Sequence, residues 1–306
     1  MAPFTVGLEE QVMVLDPARW ALIADLAPVA GLLPRGLAST IDCAAHAPAL
    51  ELRTRPHATV RGAVAELGSL RARLNAALGR AGLRAAVAGA HPAHDGPTFA
   101  LHVHVGLGAD DSAADTLGRL HAHLPLLVAL SANSPFVGGR ETGCASARIH
   151  GAVDDPVGAR LCPQHGTLEV RVMDAQTRLS EVGALGALVQ CLVREEALRR
   201  PRRGERRAEP LAIAADLRAA ARLGMRARLG TPARPARELA AELAEACAPH
   251  ALTLDCAAEI ERVGVLARRP GEAFQRSRAR LRPGEAAGGR RLRTLTGEMS
   301  AAFLEE

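Results

Sequence analysis

Four short stretches of the chain alternate apolar and polar residues with the period of two that a half-buried strand imposes. In residues 5–15 the alternation puts Glu9 and Gln11 on one face and Leu8, Glu10 and Val12 on the other. Residues 50–54 do the same with Glu51 and Arg53, and residues 101–106 with His102 and His104. Residues 166–177 set Glu169 and Arg171 against Leu168, Val170 and Val172. A longer period governs residues 58–90, where Val60, Val64, Leu67, Leu70, Leu74 and Leu78 recur at helical spacing. Asp110, Asp111 and Ser112 suit the positive end of a helix that runs to about Ser131. Asn133-Ser134-Pro135 and Gly138-Gly139 then predict a loop over 131–139. Beyond Met173 the pattern predicts helices over 180–199, 210–229, 233–248 and 255–268, and a last one ending near Glu306. Strands followed by a run of helices make an α+β protein rather than a repeated βαβ unit. The expected organisation is a sheet core over residues 1–200 with a helical region over 201–306 packed on the same domain.

The polar positions are chemically coherent. Four strands each offer a polar pair at i and i+2, which gathers carboxylates, imidazoles and guanidinium groups on one sheet face. Hard divalent cations take oxygen ligands, imidazole completes such a shell, and arginine forks bind phosphate or carboxylate. The plain alternative is a solvated sheet face, which also alternates. Solvated faces favour Thr, Ser and Lys, however, whereas Glu, His and Arg recur here, so a cradle for a metal-nucleotide is the better expectation.

Composition narrows the chemistry further. With 48% hydrophobic and 23% charged residues, the 306-residue chain falls in the ordinary range for a soluble globular protein. No apolar run reaches membrane-spanning length and the amino terminus lacks a secretory pattern, so a cytoplasmic protein is expected. The chain contains no lysine. That excludes Schiff-base chemistry, a P-loop lysine and a carbamylated-lysine metal centre, the rival owner of a strand-borne His-x-His. The net charge of +5 raises the question of nucleic acid, but the one dense basic run, 194–207, is interrupted by Pro and Gly. With one Trp, no Tyr and five Phe there is little to stack on bases, and the run reads as a solvated linker. Cys43, Cys144, Cys162, Cys191, Cys247 and Cys256 match neither zinc-knuckle nor Cys-x-x-Cys spacing and read as reduced, mostly buried thiols.

Six segments occur in a fixed order: 5–17, 49–56, 101–106, the Ser-Ala-Asn-Ser-Pro-Phe block within 129–136, Thr142-Gly143-Cys144-Ala145-Ser146-Ala147-Arg148, and 166–177. Together they resemble the type 2 glutamate–cysteine ligases, also called YbdK-like carboxylate–amine ligases, over about two thirds of the chain. The resemblance implies a glutamine-synthetase-like antiparallel sheet that forms an ATP and metal funnel, with helices packed outside. It implies ATP with Mg2+ or Mn2+ as cofactors, and small-molecule carboxylate and amine substrates. Glu9 and Glu51 would hold one cation, and His102 and Glu169 a second. Gln11 would be a weakened member of the metal site. Arg171 would face the transferring phosphate, and Arg148 would hold the acid substrate or that phosphate. His104, Arg53 and Arg171 would lie along the nucleotide, and Asp42 is a further acidic candidate. A homo-oligomer that binds neither nucleic acid nor membrane is expected.

The chain also departs from that family's pattern. Glu9-Glu10-Gln11 stands where relatives carry three acidic residues, the segment between Arg148 and Gly166 is short, and Val137 replaces an aromatic residue. These positions shape the acid and acceptor pockets, so a specialised, amino-acid-like substrate is expected. Two other readings stay open on sequence alone: an ATP-independent hydrolase or transferase on the same fold, and a non-catalytic binding protein that keeps the cradle.

Overall fold

The computed structural model describes residues 4–38, 41–43, 49–108, 112–151, 158–199, 209–280 and 289–305. The chain begins with β1 (Val6–Asp16), whose far end pairs with β2 (Ala21–Leu22). Two short helices, α1 (Ala27–Ala30) and α2 (Arg35–Ala38), lead to β3 (Ile41–Cys43) and β4 (Leu50–Arg53). Next come α3 (Val60–Arg80), β5 (Arg84–Ala86) and β6 (Ala100–Gly106). α4 (Ala113–Leu120) and α5 (Leu124–Ser131) precede the β7 (Phe136–Val137) and β8 (Arg140–Glu141) hairpin, and α6 (Ala147–Gly151) precedes β9 (Ala159–Cys162) and β10 (Thr167–Asp174). The remainder is α7 (Leu179–Leu198), α8 (Pro210–Leu223), the β11 (Arg228–Leu229) and β12 (Arg234–Pro235) hairpin, α9 (Ala236–Thr253), α10 (Ala257–Arg268), α11 (Gly271–Ala279) and α12 (Gly289–Ala302).

The main sheet runs β3-β4-β1-β6-β10-β9, antiparallel throughout, which is the α+β class expected. Leu8, Glu10 and Val12 of β1 point to the face covered by α3 and α7, while Gly7, Glu9 and Gln11 keep partial access on the other. α7 carries the core: it is buried along most of its length, from Leu179 to Val193. Gly186 lets it approach, since a Cβ there would lie 2.8 Å from Val60 and 3.6 Å from Leu8. One hydrophobic cluster runs from Phe4 to Phe303 and takes in α9, α10 and α12. Among the described residues no helix is long and apolar enough to cross a membrane.

Several predicted boundaries shift for physical reasons. The helix expected over 58–90 stops at Arg80, because Gly82 takes a φ of +74° and the chain turns back as β5 against Met13–Leu15 of β1. Arg84, Ala85 and Ala86 read as helix by composition, but pairing with β1 overrides that preference. The helix expected up to Ser131 is divided by a 3₁₀ turn at His121–His123, just ahead of Pro125. Its proposed start at Asp110 and Asp111, and most of the basic run 194–207, lie outside the described residues. Gly224, at φ +54°, ends α8 early, and α11 was not anticipated.

Glu10, the middle residue of Glu9-Glu10-Gln11, is fully buried against Arg71 of α3, with Nε to Oε2 at 2.8 Å and Nη2 to Oε1 at 2.5 Å. Arg71 gives its remaining protons to the carbonyls of Gln176, Thr177 and Phe303, at 2.8, 3.0 and 2.9 Å. Every donor of the guanidinium is thus used, which is the condition under which a buried ion pair is tolerated. The pair joins β1, α3, the end of β10 and the carboxyl-terminal helix. Arg71→Met or Glu10→Gln, each leaving a buried partner unmatched, should lower stability by about 3 to 5 kcal/mol in urea unfolding, whereas Glu10→Leu combined with Arg71→Met should recover much of the loss. A single variant costing less than about 1 kcal/mol would show that the pair is not a structural tie.

Candidate active site

Strand register brings the candidate residues together. Glu9 sits opposite His102 on β6 and Arg53 on β4, Gln11 opposite Glu51, and Glu169 opposite His104 on β6 and Arg160 on β9. Because cross-strand partners point the same way, these side chains share the sheet face that the helices leave open. Asp42 pairs with Glu51 in register, but its side chain lies outside the described residues.

Two groups form on that face. In one, Glu9 Oε2 lies 3.3 Å from His102 Nδ1, and Arg53 bridges Glu9 Oε1 at 3.3 Å and Glu51 Oε1 at 2.7 Å. In the other, Glu169 is fully buried and accepts from Arg160 Nε at 2.5 Å, from Cys162 Sγ at 3.2 Å and from Arg171. The groups touch: Glu169 Oε1 is 3.6 Å from His102 Nδ1, and His104 Nε2 is 3.5 Å from Glu9 and 3.7 Å from Glu169.

Burial works against the charge of Glu9, but the hydrogen bond with His102 and the charge on Arg53 outweigh it and hold Glu9 well below the ordinary carboxylate range. Burial raises Glu169 too, and the Arg160 and Cys162 donors with the His104 and Arg171 charges bring it below its usual value. Burial pushes His102 down, toward neutral imidazole, against the pull of Glu9 and with the help of Arg171 and Arg148. Ionised carboxylates and neutral imidazole are the forms that bind metal.

The donor sets fit divalent cations. Glu9, Glu51 and His102 offer ligand atoms within 4.8 Å of one another, and so do His104, Cys162 and Glu169. His104 Nε2 is buried without a hydrogen-bond partner among the described residues and stands 3.5 Å from Glu9 and 3.7 Å from Glu169, a position from which it could ligate a cation beside either carboxylate. The expected neighbours His102 and Glu169 do lie together, at 3.6 Å, and His102 also groups with Glu9 and Glu51 while His104 stands 3.7 Å from Glu169. Cys162 and Arg160 were missed, although Ala159-Arg160-Leu161-Cys162 repeats the same alternation and could have revealed them.

Two expected roles change with the geometry. Gln11 accepts from the Ala100 N–H at 2.9 Å and donates its NH2 to Glu51 Oε2 at 3.3 Å, so its oxygen is engaged by backbone and its amide holds Glu51. Arg148 is buried and donates to the carbonyls of Val172 at 3.1 Å and Arg171 at 2.9 Å, so it is bonded to the backbone of β10. Those carbonyls lie in the irregularity of β10 between Val170 and Met173, where the register with β6 shifts. Arg148 thereby fixes the segment that aims Arg171, whose Nη1 reaches Glu169 and lies 3.5 Å from His102.

Behind Arg148 stands Asp174, fully buried, whose carboxylate accepts from Asn133 N–H at 2.8 Å, Ser134 Oγ at 2.7 Å and Ser146 Oγ at 2.9 Å, with Arg148 at 3.9 Å. Burial raises its pKa, and Arg148 and the three donors act in the opposite sense. Gly89 is required beside it, because a Cβ there would sit 2.5 Å from the Asp174 carboxyl carbon. The Ser-Ala-Asn-Ser-Pro-Phe, Ala-Ser-Ala-Arg and Val-Met-Asp-Ala-Gln-Thr segments therefore meet at one carboxylate.

Comparison with known proteins places this arrangement. The glutamate-cysteine ligase family 2 model matches residues 93–151 and 153–294. A Rubrobacter xylanophilus protein bearing the name glutamate–cysteine ligase 2-3 is 32% identical over 329 aligned positions, covering 85% of this chain and 88% of its own length. The glutamate–cysteine ligase of Halobacterium salinarum is 29% identical over 255 positions, 64% of this chain and 71% of that protein. In fold, the chain is similar to the glutamate–cysteine ligase of Francisella tularensis solved with AMP, at a TM-score of 0.70 and 13% identity over 99% of this chain and 89% of that one. It is also similar to a bifunctional glutathione synthetase from Pasteurella multocida, at 0.63 and 12%, over 98% of this chain and 52% of that one. With a family model matching more than half of its residues and a relative of this identity along most of its length, the chain belongs to glutamate-cysteine ligase family 2 and is a ligase.

Proposed function

We propose that this protein is an ATP-dependent carboxylate–amine ligase acting on a specialised, amino-acid-like acid. One carboxylate oxygen of the substrate attacks the γ-phosphorus, ADP leaves, and the resulting acyl phosphate is attacked by an amine to give an amide and inorganic phosphate. A carboxylate is a poor acylating agent until its oxygen becomes a leaving group, and the phosphoryl transfer supplies that change. The adjacency of two cation-binding donor sets with an arginine fork on one sheet face carries this proposal. The AMP held by the Francisella protein of similar fold adds support.

Mg2+ or Mn2+ held by Glu9, Glu51 and His102, and a second divalent ion by His104 and Glu169, would neutralise polyphosphate charge there. The chain's own groups do the rest. Arg171, partly exposed beside Glu169, presents a planar fork to oxygens that gain charge as the phosphoryl group moves. Arg53, about half exposed at the rim, is placed to meet the nucleotide's phosphates once Glu9 and Glu51 turn to a cation. His104 orients within the same group, and Gln11 keeps Glu51 aimed at the cleft. Arg148 and Asp174 hold Arg171 in place from behind.

Phosphate release is expected only when ATP, a divalent cation, an acid and an amine are all present, with one phosphate formed per amide. Glu169→Gln should abolish it with little change in melting temperature, since its partners Arg160 and Arg171, unlike the buried Arg71 of Glu10, reach water and are not left as unpaired buried charges. Release at full rate without any amine would instead select a hydrolase.

Arg171→Lys should lower kcat by roughly 100-fold with KM and melting temperature near wild type, because an ammonium cannot span two oxygens. Arg148→Lys should differ: two carbonyls of β10 lose donors, so stability should fall by about 1 to 3 kcal/mol along with kcat. If Arg148→Lys kept wild-type stability and lost only turnover, Arg148 would be a substrate-contacting group after all.

A further inference from the structure

The two donor sets on this face differ in kind. Glu9, Glu51 and His102 supply two carboxylates and one imidazole, a set suited to magnesium or manganese. His104, Cys162 and Glu169 supply one imidazole, one thiol and one carboxylate. We propose that the second set is a thiolate-containing site selective for a borderline-soft divalent cation, of the class of zinc or cobalt, over magnesium. The proposal rests on the reading that this face binds cations and adds which cation each half takes.

The geometry fits before any ion arrives. Ligand bonds of about 2.0 Å to nitrogen or oxygen and about 2.3 Å to sulfur in a tetrahedral shell put neighbouring donor atoms roughly 3.3 to 3.6 Å apart. Cys162 Sγ lies 3.2 Å from Glu169 Oε2, His104 Nε2 lies 3.7 Å from the other oxygen of that carboxylate and 3.5 Å from Glu9, and one donor atom from each of Cys162, His104 and Glu169 stands within 4.8 Å of the other two, a spacing that side-chain rotation closes on an ion. His104 is also turned for ligation: its Nδ1 is engaged by Thr167 Oγ1 at 3.3 Å, which suits the tautomer with a bare lone pair on Nε2, and Nε2 has no hydrogen-bond partner among the described residues. Three protein donors leave a fourth position for water or a substrate oxygen, the pattern of open rather than purely structural zinc sites.

Charge and proton balance are accounted for. Cys162, 3% exposed, donates its S–H to Glu169, and that proton passes to solvent when sulfur binds the ion. Arg160, the strongest competitor for Glu169 Oε2, lies on a side chain 59% exposed and can turn to water without unburying apolar surface. Arg171 keeps its place on Oε1. Magnesium would gain nothing from a thiol, because it prefers oxygen and retains its waters. The other close thiols, Cys191 beside Cys247 and 3.7 Å from Cys256, are buried in the helical layer and are the rival source of a sulfur–cobalt band that Cys162→Ser separates.

The test is a Co2+ titration of the whole chain followed by absorption, with Mn2+ binding measured in parallel. Wild type should develop a near-ultraviolet sulfur-to-cobalt charge-transfer band, and Cys162→Ser should lose it and bind Co2+ about tenfold or more weakly. Mn2+ binding at Glu9, Glu51 and His102 should stay close to wild type in that variant. His104→Gln, on a partly exposed side chain, should also lose the band, which keeps the proposal testable should Cys162→Ser fail to fold. A band that survives in Cys162→Ser comes from another thiol and overturns the proposal. Bound Co2+ without a sulfur band overturns it while leaving the ligase reading intact, and failure of every divalent ion to bind removes both.

Discussion

Asp174 never meets water, and the site depends on how its carboxylate is satisfied. Its three hydrogen-bond donors come from Asn133, Ser134 and Ser146, so the loop after α5 and the start of α6 are both tied to the end of β10. A carboxylate with no such partners would be too costly to bury, and the fold is therefore committed to bringing these segments together. Arg148 converts that commitment into function. Beside Asp174 at one side and bonded to the Arg171 and Val172 carbonyls at the other, it sets the irregular stretch of β10 from which Arg171 reaches Glu169.

β1 divides its charges in the same spirit. A period of two sends Glu10 inward to Arg71, where the pair ties four elements together, and sends Glu9 and Gln11 outward to the cleft. A shift of one residue in register would expose the first and bury the other two. Consecutive acidic residues thus serve opposite faces, one in the core and one in the cleft, and the strand cannot slip without losing both.

How much of this could be read in advance follows from the range of each signal. Alternation along a strand is local, so the face shared by Glu9, Glu51, His102, His104, Glu169 and Arg171 was legible from four segments far apart in sequence. Partnerships across the fold were not. Nothing near Arg71 marks it as the partner of Glu10, 61 residues away, or Asp174 as the meeting point of three motifs. Arg148 was expected to hold the acid substrate or the transferring phosphate, and its bonds to the Val172 and Arg171 carbonyls were not legible because motif order gives a residue's neighbourhood without the direction of its side chain. Cys162 was passed over because a buried thiol reads as a small hydrophobe until its strand is placed beside Glu169. The strand Arg84–Ala86 was hidden by helix-forming alanines, whose preference is weaker than pairing with β1.

The central claim is that one sheet face holds two divalent ions around a nucleotide, with Glu51 serving one and Glu169 the other. The most direct measurement is the number of Co2+ ions bound per chain, by paramagnetic titration with a non-hydrolysable ATP analogue present. The account predicts two for wild type, and one each for Glu51→Gln and Glu169→Gln. A wild-type count of zero, or a count unchanged by both substitutions, would contradict it.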